Sequence, residues 1–188
     1  MKLELAVLAA FFATSLSADE FHDALAAYHE SRLAGFVSDT ALVAAINEQN
    51  ARTMGYTQSE IDDLDTRWRA EIGVSDRPTI DSVVENGLAG YLRDVVDGAD
   101  GAITEIFVMD ARGLNVAASA PTSDYWQGDE DKHSMTYGAG AGAVHISEIE
   151  FDESSQTYQG QVSMTVVDPA TGQAIGAVTF GIDPEAVM

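Results

Sequence analysis

The ten residues Ser123-Asp-Tyr-Trp-Gln-Gly-Asp-Glu-Asp-Lys132 hold the densest usable chemistry in the chain. Tyr125 and Trp126 offer aromatic faces that can stack on an apolar body or a cationic nitrogen. Asp129 can receive an amine and Lys132 a carboxylate. Aromatic faces beside a few placed charges are what a small-ligand pocket needs, and this set suits an amino acid or a similar zwitterion. The same residues have a plainer use. Trp126 can plug the loop onto a sheet, Asp129 and Lys132 can form a weak surface ion pair, and Gly128 can simply permit a turn.

No other motif competes with this loop. Ser119, Ser123 and Ser163 lack the strand-to-helix setting of a nucleophile. Ala139-Gly-Ala-Gly-Ala143 is glycine-rich but leads toward a strand, which is not how a phosphate cradle is built. Asp124, Asp129, Glu130 and Asp131, and separately Asp94, Asp97 and Asp100, lack the spacing of a calcium loop. His22 and His29 stand seven residues apart on one helix face, where a zinc pair favours a four-residue step. His133, beside Lys132, has the chemistry of a pH-responsive group and equally that of an ordinary surface histidine. With 31 acidic residues, any chosen carboxylate pair is poor evidence for acid–base catalysis. The expectation is a protein that is not an enzyme, with no cofactor and no metal.

Stepping outward to the chain that must position the loop, 188 residues with 46% apolar content suffice for one domain with its own core. The net charge of −22 repels phosphate backbones, which argues against nucleic-acid binding. There is no cysteine, so stability must come from packing. Residues 1–18 read as a secretory signal: Lys2, the apolar run Leu5–Phe12, then the small residues of Ser15-Leu-Ser-Ala18. Glu4 offsets Lys2, and an uncleaved anchor is the alternative, although the run is short for a bilayer. The expected location is the periplasm, with the domain at 19–188.

The domain divides into a helical part, 19–100, and a sheet part, 101–188. Phe21, Leu25, Tyr28, Leu33, Phe36, Val37, Leu42 and Ile46 recur mostly at helical steps, which predicts one long helix to about residue 51, with Gly35 and Ser38-Asp-Thr40 as places where it can kink. Thr57-Gln-Ser-Glu60 is a capping box opening a second helix. Pro78 opens a third that runs to Asp97-Gly98. Strands are predicted at 103–110, 114–119, 144–151, 157–167 and 174–182, with a short helix near 129–137. Thr157–Val167 alternates, placing Val162, Met164 and Val166 on one face and Gln159, Gln161, Ser163 and Thr165 on the other. Helices followed by tightly connected strands predict an α+β domain: a long N-terminal helix and further helices packed on a five-stranded antiparallel sheet.

At this level of detail the chain resembles periplasmic Cache domains, the PhoQ/DcuS/CitA-like or extracellular PAS-like sensors. The residues that carry the likeness are Val108-Met-Asp-Ala-Arg-Gly-Leu-Asn-Val-Ala117, Thr122–Glu130, Phe151-Asp-Glu-Ser154, Gln161–Met164 and Asp168-Pro-Ala-Thr-Gly-Gln-Ala-Ile-Gly-Ala-Val-Thr179. The resemblance implies a PAS-like sheet with a pocket over it, closed by the Tyr-Trp loop. It also implies His145, Ser163 and Thr165 as ligand-side residues on the strands that follow. Such domains detect a small extracellular molecule and report to a membrane histidine kinase or chemoreceptor. With no output segment after the last strand, the expectation here is a free-standing sensor module for a small polar ligand, working with a separate membrane partner. The alternative is a ligand-free interaction protein that has kept the fold and binds a receptor ectodomain.

Overall fold

The computed structural model describes residues 18–152 and 157–188; the expected signal segment lies outside the described residues, apart from Ala18. The chain is α+β. Helices α1 (Ala18–Tyr28), α2 (Thr40–Thr53), α3 (Gln58–Glu71), α4 (Pro78–Val84) and α5 (Gly87–Asp97) come first. Strands β1 (Ile103–Asp110) and β2 (Asn115–Ala118) precede a short helix α6 (Asp131–Ser134), after which β3 (Val144–Ile146), β4 (Glu150–Asp152), β5 (Thr157–Val167) and β6 (Ala174–Ile182) complete the sheet. Every pairing is antiparallel, in the order β2-β1-β6-β5-β3, with β4 also on β5.

The single long N-terminal helix is not what forms. After α1 the chain makes a π-helical turn at His29–Leu33 and a 3-10 turn at Phe36–Ser38. Asp39 then goes extended (φ −63°, ψ 128°) and caps α2, its carboxylate accepting from Ala41 N at 2.8 Å and Leu42 N at 3.3 Å. A carboxylate that satisfies two orphan amides stabilises a new helix start more than a continued helix would. The break also swings Phe36 onto the sheet, edge-on to Phe180 at 5.1 Å. The expected third helix divides for the same reason. Asn86 accepts from Ala89 N at 2.9 Å and starts α5 afresh. The capping box at Thr57 and Glu60 is present as expected. The strand expected at 144–151 is two three-residue pieces, so the sheet has six strands rather than five.

Alternation on β1, β5 and β6 gives the sheet two buried faces. One carries Ile106, Val108, Val162, Met164, Val166, Val178, Phe180 and Ile182, and packs against Leu25 of α1, Leu42 and Ile46 of α2, and Leu88 and Leu92 of α5. The other face is apolar only toward β2, where Phe107, Met109, Leu114 and Ala177 meet Ile61 and Trp68 of α3, Ile80, Val83 and Val84 of α4, and Tyr125. Each large side chain removed from water contributes about 1.5–3 kcal/mol. Toward β5 this second face turns polar, through Gln159, Gln161, Ser163 and Thr165, and the helices α3 and α4 do not extend over it. That uncovered polar half is where the residues between β2 and β3 come to lie.

Candidate ligand-binding site

Two mechanically different pieces make up the segment between β2 and β3. Residues 122–127 are pinned. Trp68 Nε1 donates to Thr122 O at 2.8 Å, and the buried Asp65 carboxylate accepts from Tyr125 N (2.9 Å) and Trp126 N (3.2 Å). Arg69 bridges Asp65 at 2.6 Å and Asp124 at 2.7 Å. On the hairpin side Trp126 Nε1 donates to Arg112 O at 2.8 Å and Gln127 N to Gly113 O at 2.8 Å. Tyr125 stacks on Trp68, with centroids 5.4 Å apart. Both aromatic rings therefore brace the loop against the hairpin and α3.

Residues 128–139 stand over the polar half of the sheet. Lys132 is part-buried, its Nζ 2.8 Å from Glu130, 3.3 Å from Gln127 Oε1 and 5.4 Å from the centroid of Phe107. His133 is buried; its Nε2 contacts Asp110 O at 3.1 Å and its ring stacks on Tyr137. Burial pushes the His133 pKa down, partly offset by the hydrogen bond to Asp110 and the charge of that residue. Thr136 Oγ1 closes the turn onto Lys132 O at 2.6 Å.

Between this overhang and β3, β4 and β5 lies an open cavity of about 810 Å³. Lys132 and Asp129 enter it from the overhang, His145 from β3, and Gln159 and Gln161 from β5. Its rim is acidic on both sides, with Asp129, Glu130 and Asp131 facing Glu148, Glu150 and Asp152. Asp129, Lys132 and His145 are thus brought together. Tyr125 and Trp126 do not line this cavity. Ser163 and Thr165 lie on the same sheet face but are fully covered, Ser163 Oγ bonding Thr179 Oγ1 at 2.9 Å while the Thr165 hydroxyl has no partner.

Gln159 and Gln161 line the cavity and were not singled out in the sequence; nor was Glu105, which is buried and does not line it. Gln159 donates to the Glu105 carboxylate at 2.7 Å and also accepts from Thr104 Oγ1. Burial raises the Glu105 pKa, the charge of Asp152 raises it further, and Gln159, Lys132 and Gln161 pull it back. The visible signal was an acidic residue in the middle of a largely apolar strand. Because folded Glu105 holds its proton more tightly than unfolded Glu105, its contribution to stability is present at low pH and declines as pH rises from the ordinary glutamate value through the raised one. Glu105→Gln is expected to match the parent at acid pH and to exceed its stability above that interval, measured by urea unfolding between pH 4 and pH 8. Parallel curves for the two proteins would contradict this.

No family model matches the chain, and no curated protein does either. Solved structures do. The sensor domain of the V. cholerae histidine kinase DctB matches over 90% of this chain and 57% of its own, at 14% identity and a TM-score of 0.38. The ligand-binding domain of the Campylobacter jejuni chemoreceptor Tlp3, in complex with 4-methylisoleucine, matches over 93% and 63%, at 10% identity and 0.43. The E. coli DcuS sensor domain matches over 79% and 96%, at 16% and 0.39. The chain spans about three fifths of the DctB and Tlp3 domains. Among the described residues no helix is long and apolar enough to cross a membrane, and no group of three or more histidines or carboxylates is arranged to hold a metal ion.

Proposed function

We propose that this chain is an exported sensor module whose cavity under residues 128–139 binds a small polar organic molecule carrying a protonated amine, amino-acid-like zwitterions included. The observation that carries the reading is the cavity itself: polar-floored, about 810 Å³, with one lysine and one histidine among a rim of carboxylates. Carboxylates on two walls favour an ammonium group, and Lys132 supplies a single partner for a carboxylate on the same ligand. The pinned stretch 122–127 supplies a fixed hinge for the overhang. Ligand that binds the closed arrangement better than the open one shifts the population toward it. A separate membrane histidine kinase or chemoreceptor reads that shift.

A thermal-shift screen with amino acids, amines, carboxylates and divalent ions tests this. A cognate amine at about a hundred times its Kd adds roughly 2.7 kcal/mol, or about 5–10 °C in Tm for a domain of this size. Lys132→Gln is expected to cost a zwitterion about tenfold or more in affinity, the value of one charge-assisted bond, while sparing a simple amine. No shift with any compound, from a folded protein, sinks the reading. A second reading has one observation in its favour. Phe151 and Tyr158 form an edge-to-face pair at 5.3 Å on the β4–β5 ribbon, 49% and 66% exposed, and would suit a partner ectodomain. Under that reading Tyr158→Ser abolishes partner binding while the ligand screen stays silent.

A further inference from the structure

A second groove lies at the opposite edge of the sheet, along β2, bounded by α2 and by the junction of α4 and α5, with a volume of about 460 Å³. Three features of it converge. The first turn of α5 opens into it at Gly87 and Leu88, whose amides have no acceptor within the helix because they precede its first hydrogen-bonded turn. Although the chain has 31 acidic residues, this turn has none. Arg52 of α2 lines the same groove. So does Tyr125, which is only 9% exposed and whose hydroxyl makes no hydrogen bond among the described residues.

From these we infer that the groove binds a small oxyanion, a carboxylate or phosphate, between the first turn of α5, the Tyr125 hydroxyl and the Arg52 guanidinium. The helix end supplies free donors and partial positive charge. The phenol stays protonated across the working range, because burial foremost pushes its pKa up to about 12, so it donates rather than repels. Arg52 lies close enough to the phenol to offset part of that rise. Glu48 opposes the anion: it too lines the groove and holds Arg52 at 2.9 Å. That pair is mostly exposed, so a competing oxyanion exchanges with it at small cost. Gly87 leaves the space clear, since a Cβ there would meet nothing within 4 Å. The groove does not share lining residues with the cavity under α6, so each can be tested with the other intact.

The test is an amide-resolved NMR titration of the full chain with sodium phosphate and with sodium acetate, against sodium chloride at matched ionic strength. Saturable shifts at Gly87, Leu88 and Ala89 with phosphate or acetate, beyond those with chloride, are expected; the stronger of the two names the oxyanion. Tyr125→Phe keeps the ring and its stacking, and is expected to weaken binding about tenfold. Gly87→Glu places a carboxylate of the chain itself in the site, and is expected to abolish binding without lowering Tm, since an acidic first turn suits a helix. Lys132→Gln is expected to change nothing here. Shifts no larger than those with chloride overturn the inference. So does binding that survives Gly87→Glu, or binding lost in Lys132→Gln, which would move the anion to the cavity under α6.

Discussion

Asp110→Ala is expected to destabilise the domain by about 3–4 kcal/mol, a large part of the 5–15 kcal/mol typical of a domain. Asp110 is fully buried. Its Oδ2 accepts from Gln49 Nε2 at 3.1 Å and Thr53 Oγ1 at 2.6 Å, and its Oδ1 from Arg112 N at 2.8 Å and Leu114 N at 3.0 Å. Alanine leaves four donors to find other partners. Each buried orphan costs about 1–3 kcal/mol, reduced where water enters the space of the lost carboxylate. Gln49 retains the carbonyls of Leu114 and Asn115, which keeps the loss below the full sum. Asp110→Asn, with one oxygen preserved, should lose roughly half as much. Urea midpoints decide the matter: a change under about 1 kcal/mol for alanine would mean the network is slack or already wet.

Gly113→Ala is expected to cost about 2–4 kcal/mol and to loosen the loop between β2 and β3 with it. Gly113 turns the β1–β2 hairpin at φ +80°, and a Cβ there would sit 2.5 Å from Gly128 N. The obstacle is backbone, so it cannot rotate aside. A side chain at positive φ adds about 1–3 kcal/mol of strain. Relief requires opening the Gln127 N to Gly113 O bond and moving the indole of Trp126 off Arg112 O. Trp126 fluorescence should therefore shift toward that of a wetter indole in the folded protein. Gly172→Ala is the matched comparison, with φ +72° but open space around the missing Cβ, so it should show strain alone, about 1 kcal/mol. Equal losses at the two glycines would remove the argument from close approach.

Much of this architecture was readable in the residues, and the failures have identifiable physics. Strands β1, β5 and β6 occupy their predicted spans, β5 by its alternation and the other two by apolar runs bounded by turns. The capping box at Thr57 was readable because both of its members are local. Asp39 and Asn86 were harder. Their neighbours keep helical spacing on either side, so a periodicity count runs straight through a side chain that has begun a new helix. The site shows the same divide. Residue types marked 125–132 as special, yet which way each side points depends on Asp65, Trp68 and Arg69, about sixty residues earlier. Gln159 and Gln161 were placed on the polar face of β5 by alternation, but nothing local says that helices leave that face uncovered.

The outer edge of β2 has a consequence for assembly. Asn86 Nδ2 takes Val116 O at 3.0 Å, Gln49 Nε2 takes the carbonyls of Leu114 and Asn115, and Asn115 N is spent on Tyr125 O at 3.1 Å. The contacts to Val116 O and Asn115 O and the Tyr125 carbonyl thus occupy positions that a strand of another molecule would need, whereas Leu114 O faces β1 and accepts from Asp110 N at 3.0 Å. A continuous ribbon of sheets requires two open edges on every copy. With much of one side occupied by its own side chains and loop, this sheet offers a second molecule chiefly the short strands at its far side.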